Sequence, residues 1–229
     1  MKFAVCSLEH GIEYKKSVIR CTESQVKHAK THGYERISEE LPFDEVAREL
    51  QWAKIPLIRK HLGNWDYIMW LDGDVLITNQ DRKIEDFISL IEPGKFFFIG
   101  RDFQGLNSGV FIIQNCPLAH EFLKDVWEFQ GYDRKLFHEQ TAMDHYIEDP
   151  RYKKGVQVVP HEFISIMNAY DHRMDPRVHW RQGDFCIHFA GIKHVPTRLA
   201  LQEAYLNAGT NDESGTARIQ KYKDNMAKM

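Results

Sequence analysis

The sequence predicts an α/β protein with a mixed, mostly parallel central sheet flanked by helices. Strand-like and helix-like segments alternate along most of the 229 residues, which is typical of proteins built on a parallel sheet. One segment, Tyr67–Leu71, is apolar at every position, and such a run indicates a strand covered on both faces. The length suits one large domain and is sufficient to bury a sizeable core.

The first part of the chain predicts a strand followed by an amphipathic helix. Residues 2–8 are rich in strand formers, and residues 14–32 have helical periodicity that ends at Gly33. The positions expected to face the core on this helix are apolar: Val18, Cys21, Val26 and Ala29. The protein fold is therefore predicted to start close to the first residue.

A second helix is predicted before the apolar strand. It is expected to open at Phe43 with Asp44 as its N-cap, and to end at Gly63. Pro56 lies inside this stretch and should kink the helix or split it, because proline lacks the backbone N–H that a helix interior needs. The Tyr67–Leu71 strand follows.

The remaining elements continue the alternation up to about residue 206. Helices are predicted at residues 84–91, 117–130 and 140–147, and strands at residues 96–99, 109–113, 156–159 and 185–189. Apolar periodicity then ends, so residues 1–206 are predicted to form one domain. Residues 207–229 are interpreted as a polar linker or C-terminal tail, with a loose helix from residue 217, and a further domain could follow residue 229.

Composition excludes several classes of function. The formal net charge of −3 gives no basic field for nucleic acid, and we find neither a membrane span nor a signal peptide. The four cysteines are widely spaced among apolar residues, which indicates free, buried thiols in a reducing compartment. They are Cys6, Cys21, Cys116 and Cys186.

Asp72 and Asp74 stand where the Tyr67–Leu71 strand ends, separated by Gly73. Ligands bind at the carboxyl ends of strands in open α/β sheets. Two carboxylates about 6 Å apart repel each other by about 3 kcal/mol at an effective dielectric near 20, and this cost suits a site that holds a hard divalent cation and a phosphate. Gly73 would let a bulky anion approach the backbone. A solvated surface turn is the alternative, and the buried run before it favours the site.

Two further segments offer polar groups for a sugar or phosphate. Asn107 and Ser108 precede the predicted strand at residues 109–113, and they could bind a ligand or form an ordinary turn. Glu139 and Gln140 lie at a predicted helix start, where unpaired N–H groups create positive potential. They could point at a sugar, or Glu139 could simply complete the first helical turn.

The last candidates lie near the C-terminal end of the domain. His188 lies in an apolar strand; it is either a third metal ligand or a hydrogen-bonded core histidine. Lys193, two residues after Gly191, could pair with a departing phosphate or be a solvated surface lysine.

Taken together, these segments resemble the galactosyltransferase family of the yeast Gma12 and Mnn10 type, which includes the plant xyloglucan xylosyltransferases. The resemblance runs from about Tyr14 to Lys193 and rests on the order and spacing of its motifs. These are Lys27 with His32-Gly33-Tyr34, residues 52–59, residues 70–74, residues 106–109 with Asn115-Cys116, residues 139–142, Asn168-Ala169-Tyr170, residues 183–185 and residues 188–191.

The resemblance implies a GT-A glycosyltransferase fold, with residues 1–206 as the catalytic domain. It implies a nucleotide-sugar donor, with UDP favoured, a carbohydrate acceptor, and Mn²⁺ (Mg²⁺ as the alternative) held by Asp72, Asp74 and His188. The catalytic residues that it implies are Glu139, Gln140 and Lys193. The donor or substrate contacts that it implies are Ser7, Tyr14, Lys54, Asp72, Gly73, Asn107, Ser108, Gly191 and Lys193.

Several alternatives stay open at this stage. The resemblance favours a retaining reaction, but an inverting enzyme would use a carboxylate or histidine base on the opposite sugar face. A sugar-nucleotide pyrophosphorylase would need a glycine-rich basic loop after the first strand, whereas residues 7–13 hold one glycine and two acids. A sugar- or nucleotide-binding module without catalysis would not need the metal residues and Lys193 together. We expect a cytoplasmic location; the alternative is a luminal Golgi domain without its anchor.

Overall fold

The computed structural model describes residues 1–39, 48–131, 138–173, 178–206, 208 and 212–228. The strands in this part of the chain are β1 (Phe3–Cys6), β2 (Glu35–Ile37), β3 (Tyr67–Leu71), β4 (Val75–Ile77), β5 (Phe97–Asp102), β6 (Gly105–Gln114), β7 (Val156–Val159), β8 (Ala169–Tyr170) and β9 (Cys186–His188). The helices are α1 (Ile12–Ser17), α2 (Ile19–His32), α3 (Lys54–His61), α4 (Ile84–Ile88), α5 (Pro117–Glu128), α6 (His138–Tyr146), α7 (Val195–Leu206) and α8 (Asp212–Met226).

The central sheet has six strands in the order β2-β1-β3-β6-β5-β7. Every neighbouring pair is parallel except those of β6, which runs antiparallel to β3 and β5. A second sheet has the order β4-β9-β8. The predicted fold class, a mixed and mostly parallel sheet with helices around it, is confirmed.

The apolar run of β3 lies in the middle of two hydrophobic layers, as the sequence predicts. Ile68 and Trp70 enter the core on one face of the sheet, and Met69 and Leu71 enter the core on the other. Successive side chains of a strand point to opposite faces, so a strand covered on both sides must be apolar throughout. The strand that leads into the two aspartates is therefore buried along most of its length.

The first predicted helix is divided into α1 and α2, with Val18 between them. Here the Ser17 hydroxyl donates to the carbonyl of Tyr14 at 2.8 Å, a local bond that competes with helix continuation. Val26 was expected to face the core, and this is wrong: its side chain is 48% exposed. The buried stripe of α2 consists of Cys21, Ser24, Gln25, His28 and Ala29, and position 26 falls outside this helical face.

The second predicted helix is shorter than expected and begins at Lys54, after a 3₁₀ turn at Leu50–Ala53. Pro56 lies in the first turn of α3, where its missing N–H costs little. The expected start at Phe43 and Asp44 lies outside the described residues.

Asn107 and Ser108 were expected to precede the strand at residues 109–113, as ligand contacts or as an ordinary turn, but they belong to β6 itself. The strand begins at Gly105 because the two-residue turn of Phe103 and Gln104 joins it to β5, with Asp102 paired to Gly105. Strands β2, β4 and β8 and helix α7 were not predicted.

The C-terminal segment is packed, which differs from the loose polar helix expected from its composition. Helix α8 buries Ile219 and Tyr222, and the Gln157 amide donates to the Tyr222 hydroxyl at 3.1 Å. All four cysteines are free; three are buried and Cys116 is half-buried. Throughout the part of the chain that the structure covers, we find no helix with the length and apolar character that a bilayer crossing requires.

Candidate active site

Two sheets meet at the carboxyl end of β3 and bring three candidate ligands together. The chain leaves β3 through Asp72 and Asp74 and enters β4, which pairs with β9 so that Val75 lies opposite His188. The backbone closes the junction, because Asp72 N donates to Gly109 O at 2.8 Å and Phe189 N donates to Asp74 O at 3.1 Å. Side chains more than 110 positions apart in sequence therefore share one wall of a cavity.

The geometry of this cluster fits a divalent cation. His188 Nε2 lies 3.3 Å from Asp74 Oδ1 and 3.9 Å from Asp72 Oδ2, and one ligand atom from each residue lies within 4.8 Å of the others. Two carboxylate oxygens and one imidazole nitrogen are a donor set suited to Mn²⁺ and related ions. The residues predicted as metal ligands are thus brought together.

His188 and Asp74 each stabilise the charged form of the other. Burial alone would lower the pKa of His188, but the facing carboxylate of Asp74 outweighs it and holds the pKa above its ordinary value. Burial alone would raise the pKa of Asp74, and the imidazolium beside it holds that pKa below its usual range. Each group therefore needs a partner of opposite charge, which a bound cation would provide for the carboxylates.

Lys54 lies underneath the cluster and is almost completely buried. Its ammonium contacts Asp72 Oδ1 at 3.0 Å and Glu139 Oε1 at 2.8 Å, and it donates to Ser108 O and Oγ at 3.1 and 3.2 Å. Burial would lower the pKa of Lys54, but the two carboxylates raise it above its ordinary value. Lys54 therefore links the candidate metal ligands to α6, which carries Glu139.

Asp72 is oriented by these contacts. Its Oδ1 accepts from Lys54 Nζ and, at 2.7 Å, from the indole N–H of Trp70. Its Oδ2 is the oxygen that faces His188. One oxygen is thus used by the fold, and the other is directed toward the candidate metal position.

Two glycines make the close packing of this wall feasible. A Cβ on Gly109 would stand 2.1 Å from Cε1 of His188. A Cβ on Gly73 would stand 3.0 Å from the carbonyl of Leu8 and 3.1 Å from Cε1 of Tyr14. Protein atoms thus occupy the space where a Gly73 side chain would stand, which gives this glycine a packing role; the close approach of an anion stays a prediction.

The sugar-binding candidates Ser108 and Gln140 form one hydrogen-bonded group. Gln140 Oε1 accepts from Ser108 N at 2.9 Å, and the Ser108 hydroxyl donates to Glu139 Oε1 at 2.9 Å. Asn107 is held differently: its amide donates to Asp102 Oδ2 at 3.0 Å and its Oδ1 accepts from Asn168 at 2.9 Å. These side chains form a polar wall next to the metal cluster.

The cavity has a volume of about 700 Å³, within the range of small-molecule sites. It is lined by most of the predicted site residues, namely Tyr14, Lys54, Asp72, Gly73, Asp74, Asn107, Ser108, Glu139, Gln140, His188, Gly191 and Lys193. Gly191 and Lys193 lie at its exposed rim. Ser7 is not part of this wall: it is fully buried, and its hydroxyl donates to Glu9 Oε1 at 3.1 Å.

The lining residues that were not singled out from the sequence as site residues include Asp102, Phe103 and Tyr170. The Tyr170 hydroxyl donates to Asp102 Oδ2 at 3.0 Å, and the Tyr170 ring stacks on His188 with 5.9 Å between centroids. Of these residues, Tyr170 alone had been named from the sequence, as part of the family motif Asn168-Ala169-Tyr170. The position of Asp102 depends on the length of β5, which was underestimated.

Comparisons with known proteins show what the chain is similar to. A model of the galactosyl transferase GMA12/MNN10 family matches residues 3–93 and 90–197. An uncharacterised alpha-1,2-galactosyltransferase of Schizosaccharomyces pombe is 30% identical over 206 residues, which cover 72% of this chain and 53% of that protein. An alpha-1,2-galactosyltransferase of the same organism is 25% identical over 253 residues, which cover 88% of this chain and 64% of that protein. The chain thus spans about half to two thirds of the length of these relatives.

A solved structure shows the same fold. The crystal structure of a glycosyltransferase involved in the glycosylation of the major capsid of PBCV-1 matches with a TM-score of 0.71 and 18% identity, covering 89% of this chain and 100% of that chain. The expected GT-A fold is confirmed.

Proposed function

The chain belongs to the galactosyl transferase GMA12/MNN10 family, a family of glycosyltransferases, and we propose that residues 1–206 are the catalytic domain of a metal-dependent member. In this proposal the cavity binds a nucleotide-sugar donor, with UDP as the nucleotide, and the sugar passes to a hydroxyl of a carbohydrate acceptor. The observation that carries the proposal is the convergence of Asp72, Asp74 and His188 on one wall of the cavity.

Asp72, Asp74 and His188 would hold Mn²⁺, or Mg²⁺ in its place. The bound ion supplies a Lewis acid for the charge that develops on the diphosphate when the sugar leaves. Lys54 supports this role because it neutralises the inner oxygen of Asp72 and fixes the carboxylate. A carboxylate fixed in this way requires little rearrangement when a ligand binds.

Lys193 and Gly191 are proposed to contact the departing diphosphate. Lys193 lies at the exposed rim of the cavity, so its ammonium can approach an anion without a large desolvation cost. Gly191 has a φ of 72°, a left-handed conformation that glycine adopts readily. Tyr14, on the cavity wall beside Gly73, is proposed to contact the nucleotide.

The polar wall of Asn107, Ser108, Glu139 and Gln140 is proposed to bind the transferred sugar. Glu139 forms an ion pair with Lys54, which orients its carboxylate in the cavity wall. The S. pombe relatives are named for alpha linkages. A UDP-sugar that carries its nucleotide in the alpha position gives an alpha product only by retention, and this supports a retaining reaction.

An Asp74→Asn variant tests the proposal. We expect it to lose Mn²⁺-dependent hydrolysis of UDP-galactose, because an amide is a poorer ligand for a hard cation than a carboxylate. Hydrolysis without acceptor is measured by release of UDP, with circular dichroism as the check on folding. Asp81→Asn, at an exposed position outside the cavity wall, is the matched control and should keep wild-type activity. Full activity of Asp74→Asn in the presence of EDTA would contradict the metal role.

A further inference from the structure

We propose that the turn between β5 and β6 is an acceptor subsite, in which a sugar ring lies with its C–H face on Phe103 and a hydroxyl on the amide of Gln104. This inference rests on the proposed function, since it assigns the carbohydrate acceptor to one end of the same cavity. Both side chains line that cavity.

The composition of this turn is unusual for its shape. Two-residue hairpin turns favour Asn, Asp and Gly, yet the turn residues here are Phe103 and Gln104. Phe103 is 49% exposed, so a large apolar ring is presented to solvent at the edge of a polar cavity. Exposed aromatic rings at a cavity are typical of binding surfaces, and a phenyl ring next to an amide matches the apolar face and polar edge of a sugar ring.

The turn is held in place by its flanking residues. Asp102 Oδ1 accepts from Gln104 N at 2.7 Å, and Asp102 Oδ2 accepts from Asn107 at 3.0 Å and from Tyr170 at 3.0 Å. Gly105 adopts a φ of 123°, which favours glycine. Asp102 and Gly105 thus meet the structural demands of the turn, which leaves the side chains of Phe103 and Gln104 available to a ligand.

The position of the turn suits an acceptor. Tyr170 contacts Asp102 through its hydroxyl and stacks on His188 with its ring, so the turn lies one side chain away from the candidate metal cluster. The polar side chains at the turn are Asp102 and Gln104, and neither is a cation. Neutral hydroxyls are therefore better suited to this end of the cavity than the phosphates of the donor.

A Phe103→Ala variant tests the subsite by separating acceptor binding from donor chemistry. We expect the acceptor KM to rise about tenfold, the loss of one aromatic contact of roughly 1.4 kcal/mol. Hydrolysis of UDP-galactose without acceptor should stay at the wild-type rate. Phe103→Tyr should restore the KM because it keeps the ring. Ile19→Ala, at a position 44% exposed on α2 and away from the cavity, is the control for loss of surface apolar area.

A direct measurement of sugar binding tests the subsite independently of enzyme turnover. Saturation-transfer NMR with methyl α-D-mannopyranoside, cellobiose and lactose, in the presence of UDP and Mg²⁺, should give a signal in wild type that Phe103→Ala loses and Phe103→Tyr keeps. If this pattern holds while wild type turns over no donor, the proposed transferase function fails and the sugar subsite stands. If wild type transfers sugar and Phe103→Ala has an unchanged KM, or loses hydrolysis equally, the subsite is overturned.

Discussion

Gly109 leaves the space that the imidazole of His188 occupies. An added Cβ would stand 2.1 Å from Cε1 and 2.6 Å from Nδ1 of that ring, and both residues lie in strands, so neither can move freely. Gly109→Ala should therefore shift the imidazole and lower the affinity for Mn²⁺ by about tenfold or more, the usual size of effects on ligand orientation. Isothermal titration with Mn²⁺ and UDP measures this.

Gly63→Ala is the matched control for this substitution, because a Cβ there meets nothing within 4 Å. It should keep the wild-type Mn²⁺ affinity. Wild-type Mn²⁺ affinity in a folded Gly109→Ala protein would mean that the position of the His188 imidazole does not affect metal binding. That result would contradict the role of His188 as a metal ligand.

At the same scale, the sequence pointed to the three residues that cluster as candidate metal ligands, but not to the contacts that support them. Asp72 and Asp74 were found because they follow a buried strand. His188 was found because a polar imidazole is unusual inside an apolar strand. Lys54 was expected only as a donor contact, by resemblance. Its burial among Asp72, Glu139 and Ser108 arises from tertiary contacts that helix periodicity does not encode.

At the scale of elements, most strands and helices were predicted, whereas three short strands and helix α7 were missed. Strands β2, β4 and β8 have two or three residues each, too few to show a period. Their strand conformation comes from pairing with distant segments, as β4 does with β9. The site depends on such pairing, since β4 and β9 bring His188 to Asp74. Sequence periodicity therefore located the residues of the site but not the sheet that unites them.

Helix α8 is anchored to the segment that leads into β9 by an ion pair between Arg218 and Asp184, with 2.7 Å between Nη2 and Oδ1. Burial raises the pKa of Asp184 to about 6, although Arg218 opposes this shift. Above pH 6 the folded protein contains a buried carboxylate that needs its cation. Arg218→Ala should therefore lower the free energy of unfolding by about 3 kcal/mol at pH 8, as breaking a buried pair does.

The loss should be smaller at pH 5, because the Asp184 carboxyl is then mostly protonated in the folded state and no longer needs a positive partner. Urea unfolding at both pH values measures the difference. Lys221→Ala, an exposed position on the same helix, should have little effect, and Asp184→Asn should remove most of the cost of Arg218→Ala. An equal loss at pH 5 and pH 8 would show that the ion pair does not anchor α8.

At the scale of the whole molecule, the candidate metal site is where the two sheets are joined. Asp72 follows β3 of the central sheet, while His188 belongs to β9 of the smaller one. Unfolding of either sheet would separate the ligands. A cation at this position therefore binds only the folded arrangement, and its binding free energy adds to the stability of both sheets.

Mn²⁺ with UDP should consequently raise the melting temperature of the protein. At a ligand concentration one hundred times its dissociation constant, binding to the native state alone contributes about 2.7 kcal/mol. For a chain of this size, that corresponds to a rise of roughly 5 to 10 °C. Differential scanning calorimetry with and without the ligands measures the shift, and Asp74→Asn should lose most of it. An equal rise in wild type and Asp74→Asn would place the bound ion elsewhere, because removal of one of three ligands at the junction must weaken binding there.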